Sequence, residues 1–292
     1  MTKALLGIIG GSGVYELPGL QDVREEAVAT PWGEPSDKLR FGRINGTEAV
    51  FLPRHGRGHR LSPSGINYRA NIDALKRVGV THIISVSACG SFREELPPGR
   101  FVAVDQFIDR TFGRQSSFFG NGCVAHVSMA HPVAPLLQNR IMAAAHSEKI
   151  DIVRGGTYVC MEGPQFSSRA ESLAYKAAGC DVIGMTALPE AKLAREAEIS
   201  YAMLAMVTDY DCWRDDIAAV EVHDILAVVR SNAEKASKLL AKLMADFPAD
   251  AAPCPVGSDR ALDYALVTAR DAWDPELVKK LDAIMGRVLA KA

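Results

Sequence analysis

The chain is organised around residues 201–213, which read YAMLAMV (201–207) followed by TDYDCW (208–213). The apolar run is typical of a strand buried within an α/β sheet. Its carboxyl end carries Asp209 and Asp211 to the sheet edge at which ligands bind in open α/β folds. Because side chains alternate along an extended chain, we expect both carboxyl groups to lie on the same side.

Two adjacent carboxyl groups repel each other, so one of them tends to keep a proton near neutral pH if the site is dry. A protonated acid beside an ionised one can hold a hydrogen-bond donor and deliver a proton to an acceptor. The edge of an adenine ring presents that combination in its 6-amino group and N7. The alternative is an ordinary strand end followed by an Asp-rich turn, and the local pattern leaves both interpretations open.

Composition narrows the class of protein. The 292 residues are 48% hydrophobic and 23% charged, enough for a sizeable core, and the net charge of -2 gives no basic surface for nucleic acid or an anionic membrane. The apolar run 4–9 ends at glycines and is too short for a signal peptide or a membrane span. The six cysteines show no CxxC or zinc-type spacing, which predicts reduced thiols in a cytoplasmic protein without a metal site.

On both sides of the central stretch, apolar runs alternate with amphipathic patterns about ten residues long. Strands are predicted over 4–9, 82–87, 102–108, 156–161 and 181–185, and helices over 67–78, 135–149, 169–178 and 190–198. Such alternation predicts an α/β fold, with a mixed, largely parallel, twisted sheet flanked by helices. Residues 38–44 and 48–52 flank Asn45-Gly46, which predicts a β-hairpin.

The predicted fold fills a single domain over residues 1–246. A Pro/Ala/Asp-rich stretch begins at Phe247, and the sequence after Asp259 has a helical pattern in two pieces. We therefore expect residues 247–292 to form a connector and a helical appendage.

Three segments carry groups suited to an anion. Gly10–Gly13 follows the first strand and can bring backbone N–H groups close, although it matches neither a Walker loop nor a dinucleotide fingerprint. RHGRGHR at 54–60 offers planar guanidinium forks, and SACGS at 87–91 is a small-residue turn at a strand end. Each segment is equally compatible, taken alone, with a plain loop or turn.

Further candidates are suited to an apolar or aromatic ligand. In EGPQF (162–166), Gly-Pro forces a sharp turn and presents Phe166 either as a stacking surface or as a core residue. After TDYDCW, Val222, Ile225 and Leu226 follow i, i+3, i+4 spacing, which suits a pocket wall or a core-facing stripe. His126 follows an irregular loop and is interpreted as a surface or interface residue.

Six motifs, taken in order, resemble those of one family. They are Gly10–Gly13, RHGRGH (54–59), SACGS (87–91), EGPQF (162–166), GMTALPE (184–190) and TDYDCW (208–213). The set is similar to the trimeric purine nucleoside phosphorylases, and within them to the branch acting on 5′-methylthioadenosine. The resemblance implies a single-domain nucleoside-phosphorylase-like fold.

The resemblance also implies a role for each matching residue. The positions that match the family's phosphate site are Ser12, Arg54, His55, Ser87, Ala88 and Thr186. Those that match its purine and ribose contacts are Phe166, Ile183 and Met185, with Asp209 and Asp211 as the catalytic pair at the adenine edge. Those that match the pocket for the 5′-alkylthio group are Val222, Ile225 and Leu226, with His126 lent by a neighbouring subunit.

By the same resemblance, the reaction is phosphorolysis of 5′-methylthioadenosine to adenine and 5-methylthioribose 1-phosphate, in purine and methionine salvage. Inorganic phosphate is a co-substrate, no cofactor or metal is implied, and the expected assembly is a homotrimer with active sites near subunit interfaces. Three features differ from the family pattern: Ser12 stands where threonine is common, Gly184 stands where asparagine is usual in the methylthioadenosine branch, and the C-terminal appendage differs as well.

Glycine at position 184 is found in the branch acting on 6-oxopurines, so a phosphorylase for methylthioinosine, inosine or guanosine is the alternative function. Asp209 favours adenine, because relatives acting on 6-oxopurines carry asparagine there and only a carboxylate is purely an acceptor. A hydrolytic nucleosidase and a non-catalytic nucleoside-binding protein are further alternatives, and the Arg54/His55 segment argues against the first of these.

Overall fold

The computed structural model describes residues 2–11, 17–214 and 222–290, excluding the side chains of residues 222–225. Within these ranges the strands are β1 (Leu6–Gly10), β2 (Gln21–Glu26), β3 (Leu39–Ile44), β4 (Thr47–Pro53), β5 (His82–Ser91), β6 (Phe101–Val104), β7 (Gln106–Arg110), β8 (Ile152–Arg154), β9 (Thr157–Met161), β10 (Val182–Gly184) and β11 (Ser200–Asp209). The helices are α1 (Tyr68–Arg77), α2 (Pro135–Ser147), α3 (Arg169–Ala177), α4 (Glu190–Glu196), α5 (Val222–Ala245), α6 (Pro275–Lys280) and α7 (Gly286–Leu289).

All the strands join one sheet, in which β5 is central. It pairs in parallel with β1 and β11, and its last residues pair antiparallel with β10. Six of the ten described pairings are parallel, which confirms the predicted mixed, largely parallel sheet. The carboxyl ends of β5, β10 and β11 consequently meet, and the candidate residues lie there.

Local sequence explains several element boundaries. Asn45 and Gly46 both have positive φ (49° and 77°), as a two-residue hairpin between β3 and β4 requires, so the predicted hairpin is confirmed. The Asn67 side chain accepts from Ala70 N and caps α1. Ser168 and Glu171 form a capping box that begins α3, directly after the EGPQF segment.

The prediction of a single strand over 102–108 is wrong, because this stretch forms two strands, β6 and β7. β6 pairs with β11 and β8, whereas β7 pairs with β9, and the chain changes partner at Asp105, whose Oδ1 accepts from Gly156 N. Two strands were not predicted. β2 is exposed along its whole length and has no apolar run, and β8 has only three residues.

Apolar side chains cover both faces of the sheet. On one face, α1 and α4 pack over residues such as Val104, Tyr158 and Val207, and on the other, α2 and α5 pack over residues such as Phe101 and Leu204. β11 is buried from Ser200 to Thr208 and contributes to both clusters. The buried central strand predicted from the sequence is therefore confirmed.

The C-terminal segment packs onto the same core. Leu262, Leu281 and Met285 are buried in the cluster that contains α1 and α4 residues. Arg287 Nη2 lies 2.6 Å from Oε1 of Glu198, a buried carboxylate at the end of α4. The expectation of two helical pieces is only partly correct, since 3-10 turns at Ser258–Arg260 and Arg270–Ala272 precede the short helices α6 and α7.

Candidate active site

The two candidate acids converge through a turn rather than through strand alternation. β11 ends at Asp209, and Asp211 has a left-handed backbone (φ 51°) that directs its N–H to Asp209 Oδ1 at 2.8 Å. Both acids lie against Gly90 of β5: a Cβ added there would be 2.9 Å from Asp209 Oδ1 and 3.3 Å from Asp211 Cβ. The two acids are close together, as expected. The predicted cause, strand alternation, is wrong, because the left-handed turn at Asp211 brings them together and needs the space that Gly90 leaves.

Burial raises the pKa of both carboxyl groups above the ordinary value. For Asp209, the Thr208 hydroxyl and the Asp211 amide oppose the increase in pKa, and repulsion by Asp211 is the smallest of the main causes. For Asp211, burial again dominates, and the charge of Glu171 adds to it. The tendency to hold a proton therefore has the predicted direction, but desolvation rather than mutual repulsion produces most of it.

Side chains around this acidic turn fix its position. Trp213 Nε1 donates to Ser91 O at 2.8 Å, and the ammonium of Lys176 lies 3.0 Å from the centre of the Trp213 ring. Cys212 Sγ is 3.3 Å from Ser167 O, which brings the turn beside the loop that carries Phe166. Phe166 is 55% exposed, so the core alternative for this ring is wrong and its face is accessible.

The sheet is open on the side where the small residues of β5 lie. Ala88 is exposed and Ser87 is half-buried, whereas Val86 and Cys89 on either side of them are buried. Ser87 Oγ lies 3.4 Å from Thr186 Oγ1, just beyond the end of β10. The predicted turn at 87–91 is wrong, because β5 continues through Ser91, and Ser87 and Ala88 are the accessible residues in the second half of that strand.

Arg54 has an acidic partner that the sequence did not suggest. Its side chain is buried, and its Nε and Nη2 atoms lie 2.9 and 3.2 Å from the two carboxylate oxygens of Glu190. Nη2 also donates to Ser85 Oγ at 2.7 Å, and Nη1 donates to Val86 O at 3.0 Å. The guanidinium fork therefore faces Glu190, and only one N–H of Nη1 has no acceptor among the described residues. Glu190 raises the pKa of Arg54 above its ordinary value despite burial.

His55 lies next to Arg54 and is held in one tautomer. Its Nδ1 is 2.9 Å from Leu61 O, and because a carbonyl can only accept, Nδ1 carries the hydrogen and Nε2 keeps a lone pair. Its ring stacks on that of His59 at 4.1 Å. Burial lowers the pKa of His55 to about 4, with the Arg54 charge contributing, so the ring is neutral at pH 7.

We expect the ¹⁵N NMR spectrum of labelled protein at pH 7 to show that Nε2 of His55 carries no hydrogen. In a pH titration, the ring should take up its second proton near pH 4. The resonance is assigned by its loss in His55→Gln. Between the ordinary pKa of 6.5 and about 4, the unfolded chain takes up a proton that the folded protein refuses, so this residue lowers stability as the pH falls. Protonation near pH 6.5 would contradict the burial argument.

Arg114 is a residue that sequence reasoning missed. It lies in a loop whose composition gives no pattern, yet its side chain is only 1% exposed. Nη1 donates to Met185 O and Leu188 O, both at 2.6 Å, and Nη2 donates to Glu162 O at 2.7 Å. One guanidinium therefore ties together the loops after β9 and β10, which carry Phe166 and Met185. The Met185 side chain itself lies against Gly163.

Replacing Arg114 by lysine should loosen both loops, because a single ammonium cannot reproduce three donor directions in a planar fork. We expect kcat/KM for the nucleoside to fall roughly 10²-fold, the scale of a misplacement of about 1 Å. Steady-state kinetics on Arg114→Lys would measure this decrease in kcat/KM. The matched control is Arg110→Lys, because Arg110 is exposed at the end of β7. Equal losses in the two variants would contradict the assignment.

The remaining predicted residues divide into two groups. Ser12 and the side chains of Val222 and Ile225 lie outside the described residues, so their placement stays a prediction. Leu226 is 48% exposed at the start of α5, and His126 is exposed, with its N–H donating to Ala265 O of the C-terminal segment at 2.8 Å. Among the described contacts, none joins His126 or Leu226 to the acidic turn.

A model of the phosphorylase superfamily matches residues 5–245, which include every motif described above. The chain belongs to the phosphorylase superfamily. The predicted family and enzyme class are therefore confirmed, and the match extends from β1 to the last residue of α5.

Known relatives of this phosphorylase are close over nearly the full chain. A protein from Bradyrhizobium diazoefficiens named S-methyl-5′-thioadenosine phosphorylase is 68% identical over 99% of both chains. The crystal structure of a methylthioadenosine phosphorylase from an Antarctic soil metagenomic library superimposes with a TM-score of 0.91 at 45% identity, covering 97% of this chain and 99% of that one. The Schistosoma mansoni methylthioadenosine phosphorylase in complex with adenine gives 0.81 at 35% identity, covering 97% and 98%. The nucleoside-phosphorylase-like fold is thus confirmed.

Two further observations concern membranes and metals. Across residues 2–11, 17–214 and 222–290, no helix combines the length and the apolar character that crossing a bilayer requires. The same part of the phosphorylase holds no cluster of three or more acidic, histidine or cysteine side chains arranged to bind a metal ion.

Proposed function

We propose that this phosphorylase cleaves 5′-methylthioadenosine with inorganic phosphate, giving adenine and 5-methylthioribose 1-phosphate. The observation that carries the proposal is the pair of half-buried acids, Asp209 and Asp211, which meet against Gly90 beside the accessible residues Ser87 and Ala88. A relative that bears the name of this activity, 68% identical over 99% of both chains, supports it.

Each acid has a distinct task at the purine. The Asp209 carboxylate receives hydrogen bonds from the Thr208 hydroxyl (2.7 Å) and the Asp211 amide (2.8 Å), which hold it as an acceptor for the 6-amino group. Burial raises the pKa of Asp211, so this residue is suited to hold a proton. It donates that proton to N7, and adenine then leaves as a neutral molecule. A 6-oxopurine has no 6-amino donor and would face Asp209 with a carbonyl oxygen, so it is disfavoured.

The phosphate is proposed to lie over Ser87 and Ala88, within reach of the hydroxyls of Ser87 and Thr186, and to attack C1′ as the glycosidic bond lengthens. No covalent enzyme intermediate is needed, so positioning and complementary charge supply the rate gain. Arg54 contributes its remaining Nη1 N–H and a positive charge. His55, neutral with a bare Nε2, is suited to accept a hydrogen bond from a protonated phosphate oxygen rather than to donate one.

The other assignments complete the proposal. Phe166 stacks on the purine, Ile183 and Met185 contact the nucleoside, and Ser12 adds a hydroxyl to the phosphate site. The residues assigned to the pocket for the methylthio group are Val222, Ile225 and Leu226, with His126 from a neighbouring subunit. We further propose a cytoplasmic homotrimer acting in purine and methionine salvage, without a cofactor other than its co-substrate.

A panel of nucleosides at saturating phosphate tests the purine preference. We expect 5′-methylthioadenosine to have the highest kcat/KM, with adenine as the released base, and inosine, guanosine and methylthioinosine to be at least 10²-fold poorer. One acceptor left without its partner costs up to about 3 kcal/mol, a factor of roughly 10², and sites built around such a hydrogen bond can discriminate still more strongly. Preferential release of hypoxanthine or guanine would instead establish the alternative, a 6-oxopurine phosphorylase.

A further inference from the structure

Gly184 is sterically constrained in a way that the sequence does not reveal. It is the last residue of β10 and directly precedes Met185 and Thr186. A Cβ added to Gly184 would overlap the hydroxyl of Tyr158 and would lie 2.7 Å from its Cζ and 3.2 Å from its Cε2. Carbon atoms at van der Waals contact are about 3.5–4.0 Å apart. A side chain at position 184 and a tyrosine at position 158 therefore exclude each other.

Tyr158 cannot easily move away from this position. It lies on β9 with its backbone paired to Val182 of β10, and its side chain is fully buried. Its ring packs edge-on against Phe107 at a centroid distance of 6.1 Å. Its hydroxyl makes no hydrogen bond of normal geometry among the described residues, but the backbone N–H of Thr186 is directed at it. The ring is thus fixed, with its hydroxyl against the Gly184 backbone and facing the Thr186 N–H.

We propose that Tyr158 is a positioning residue for the segment 184–186, because its phenol occupies the space of a side chain at 184 and supports the cleft floor from behind. The inference rests on the proposed function, in which Met185 contacts the nucleoside and Thr186 the phosphate. One consequence concerns purine choice: the glycine at 184 is a requirement of Tyr158 and not a signature of 6-oxopurine specificity.

Compensation between the two positions tests the proposal. Gly184→Ala alone should displace segment 184–186 and lower kcat/KM roughly 10²-fold. Gly184→Ala with Tyr158→Phe should recover only part of the loss, because Cζ would still be 2.7 Å from the new Cβ. Gly184→Ala with Tyr158→Met should recover more of the loss than the phenylalanine variant, since a flexible unbranched side chain can vacate the space, but not all of it, because the supporting phenol is gone. The control is Gly286→Ala, where an added Cβ meets nothing within 4 Å.

The single variant Tyr158→Phe tests whether Tyr158 positions segment 184–186 or only fills space in the core. Removing the hydroxyl keeps the buried ring in place, so the melting temperature should change little. If Tyr158 positions the segment, the same variant should still weaken phosphate binding, measured by calorimetry, by severalfold. A variant that is as stable as the parent and binds phosphate equally well would overturn the positioning role.

Two measurements, calorimetry with inorganic phosphate and kinetics with the nucleoside, distinguish failure of the proposed function from failure of the positioning role of Tyr158. If the parent protein releases no adenine from 5′-methylthioadenosine, the proposed function fails, and the pattern of compensation is then read from phosphate affinity alone. If adenine is released but Gly184→Ala is harmless, or if Tyr158→Met gives no recovery in the double variant, the coupling between Tyr158 and Gly184 is absent and this inference fails.

Discussion

Asp211→Asn should lower kcat for phosphorolysis by ~10²–10⁴-fold, the range that a positioned general acid contributes. Asparagine has nearly the size of aspartate and tolerates the left-handed backbone at this position (φ 51°), whereas alanine would add strain to the turn. It can donate a hydrogen bond to N7 but cannot transfer a proton. The loss should therefore appear in the chemical step.

The same variant should bind phosphate almost normally, because the proposed function assigns Asp211 to the purine and not to the phosphate. Single-turnover kinetics and calorimetry with phosphate separate the two effects. Asp22→Asn provides a matched control, since Asp22 has the same backbone conformation (φ 51°) at an exposed position on β2. Comparable losses in turnover and in phosphate affinity would count against Asp211 as the acid.

Glu190→Gln should destabilise the protein by about 3–5 kcal/mol, the cost of removing one partner of a buried ion pair. Both side chains of the Arg54–Glu190 pair are 1% exposed, so the remaining guanidinium charge could not be hydrated. Oε1 of Glu190 also accepts from the Tyr201 hydroxyl at 3.0 Å, and this contact would weaken too. The thermal midpoint should fall by roughly 10 °C.

An exposed pair and a double variant give the comparisons. Arg57 and Glu25 approach to 2.6 Å, but Arg57 is 57% exposed, so Glu25→Gln should cost less than about 1 kcal/mol. Arg54→Met with Glu190→Met removes both charges and should recover much of the stability lost in Glu190→Gln. Because it also removes the charge proposed to meet phosphate, it should stay inactive. Equal costs for Glu190→Gln and Glu25→Gln would contradict this description of the pair.

Local patterns predicted the parts of the molecule that local physics decides. The apolar run 201–207 predicted a buried strand, and Asn45-Gly46 predicted the hairpin between β3 and β4. Ordered motifs at strand ends predicted the side of the sheet that forms the cleft. β2 could not be predicted because all six of its residues are exposed and five of them are polar or charged, so its extended form depends on pairing with β3.

Long-range partners decided what the sequence did not reveal. Arg54 and Glu190 are 136 residues apart, and nothing near either residue indicates that the guanidinium fork is already occupied. Arg114 was missed for the same reason. The sequence does not distinguish a buried arginine that donates to carbonyl groups from an exposed arginine. Asp211 was expected beside Asp209 by strand alternation, whereas the left-handed turn that brings them together depends on space at Gly90.

The account depends most on phosphate as the attacking group, and one measurement tests this directly. Purified protein is incubated with 5′-methylthioadenosine in phosphate-free buffer and at saturating phosphate, and adenine and sugar phosphate are quantified together. We expect no adenine without phosphate and, with it, equal amounts of adenine and 5-methylthioribose 1-phosphate. Adenine release at the same rate in both buffers, with free methylthioribose as the product, would show that water is the nucleophile and would contradict the account.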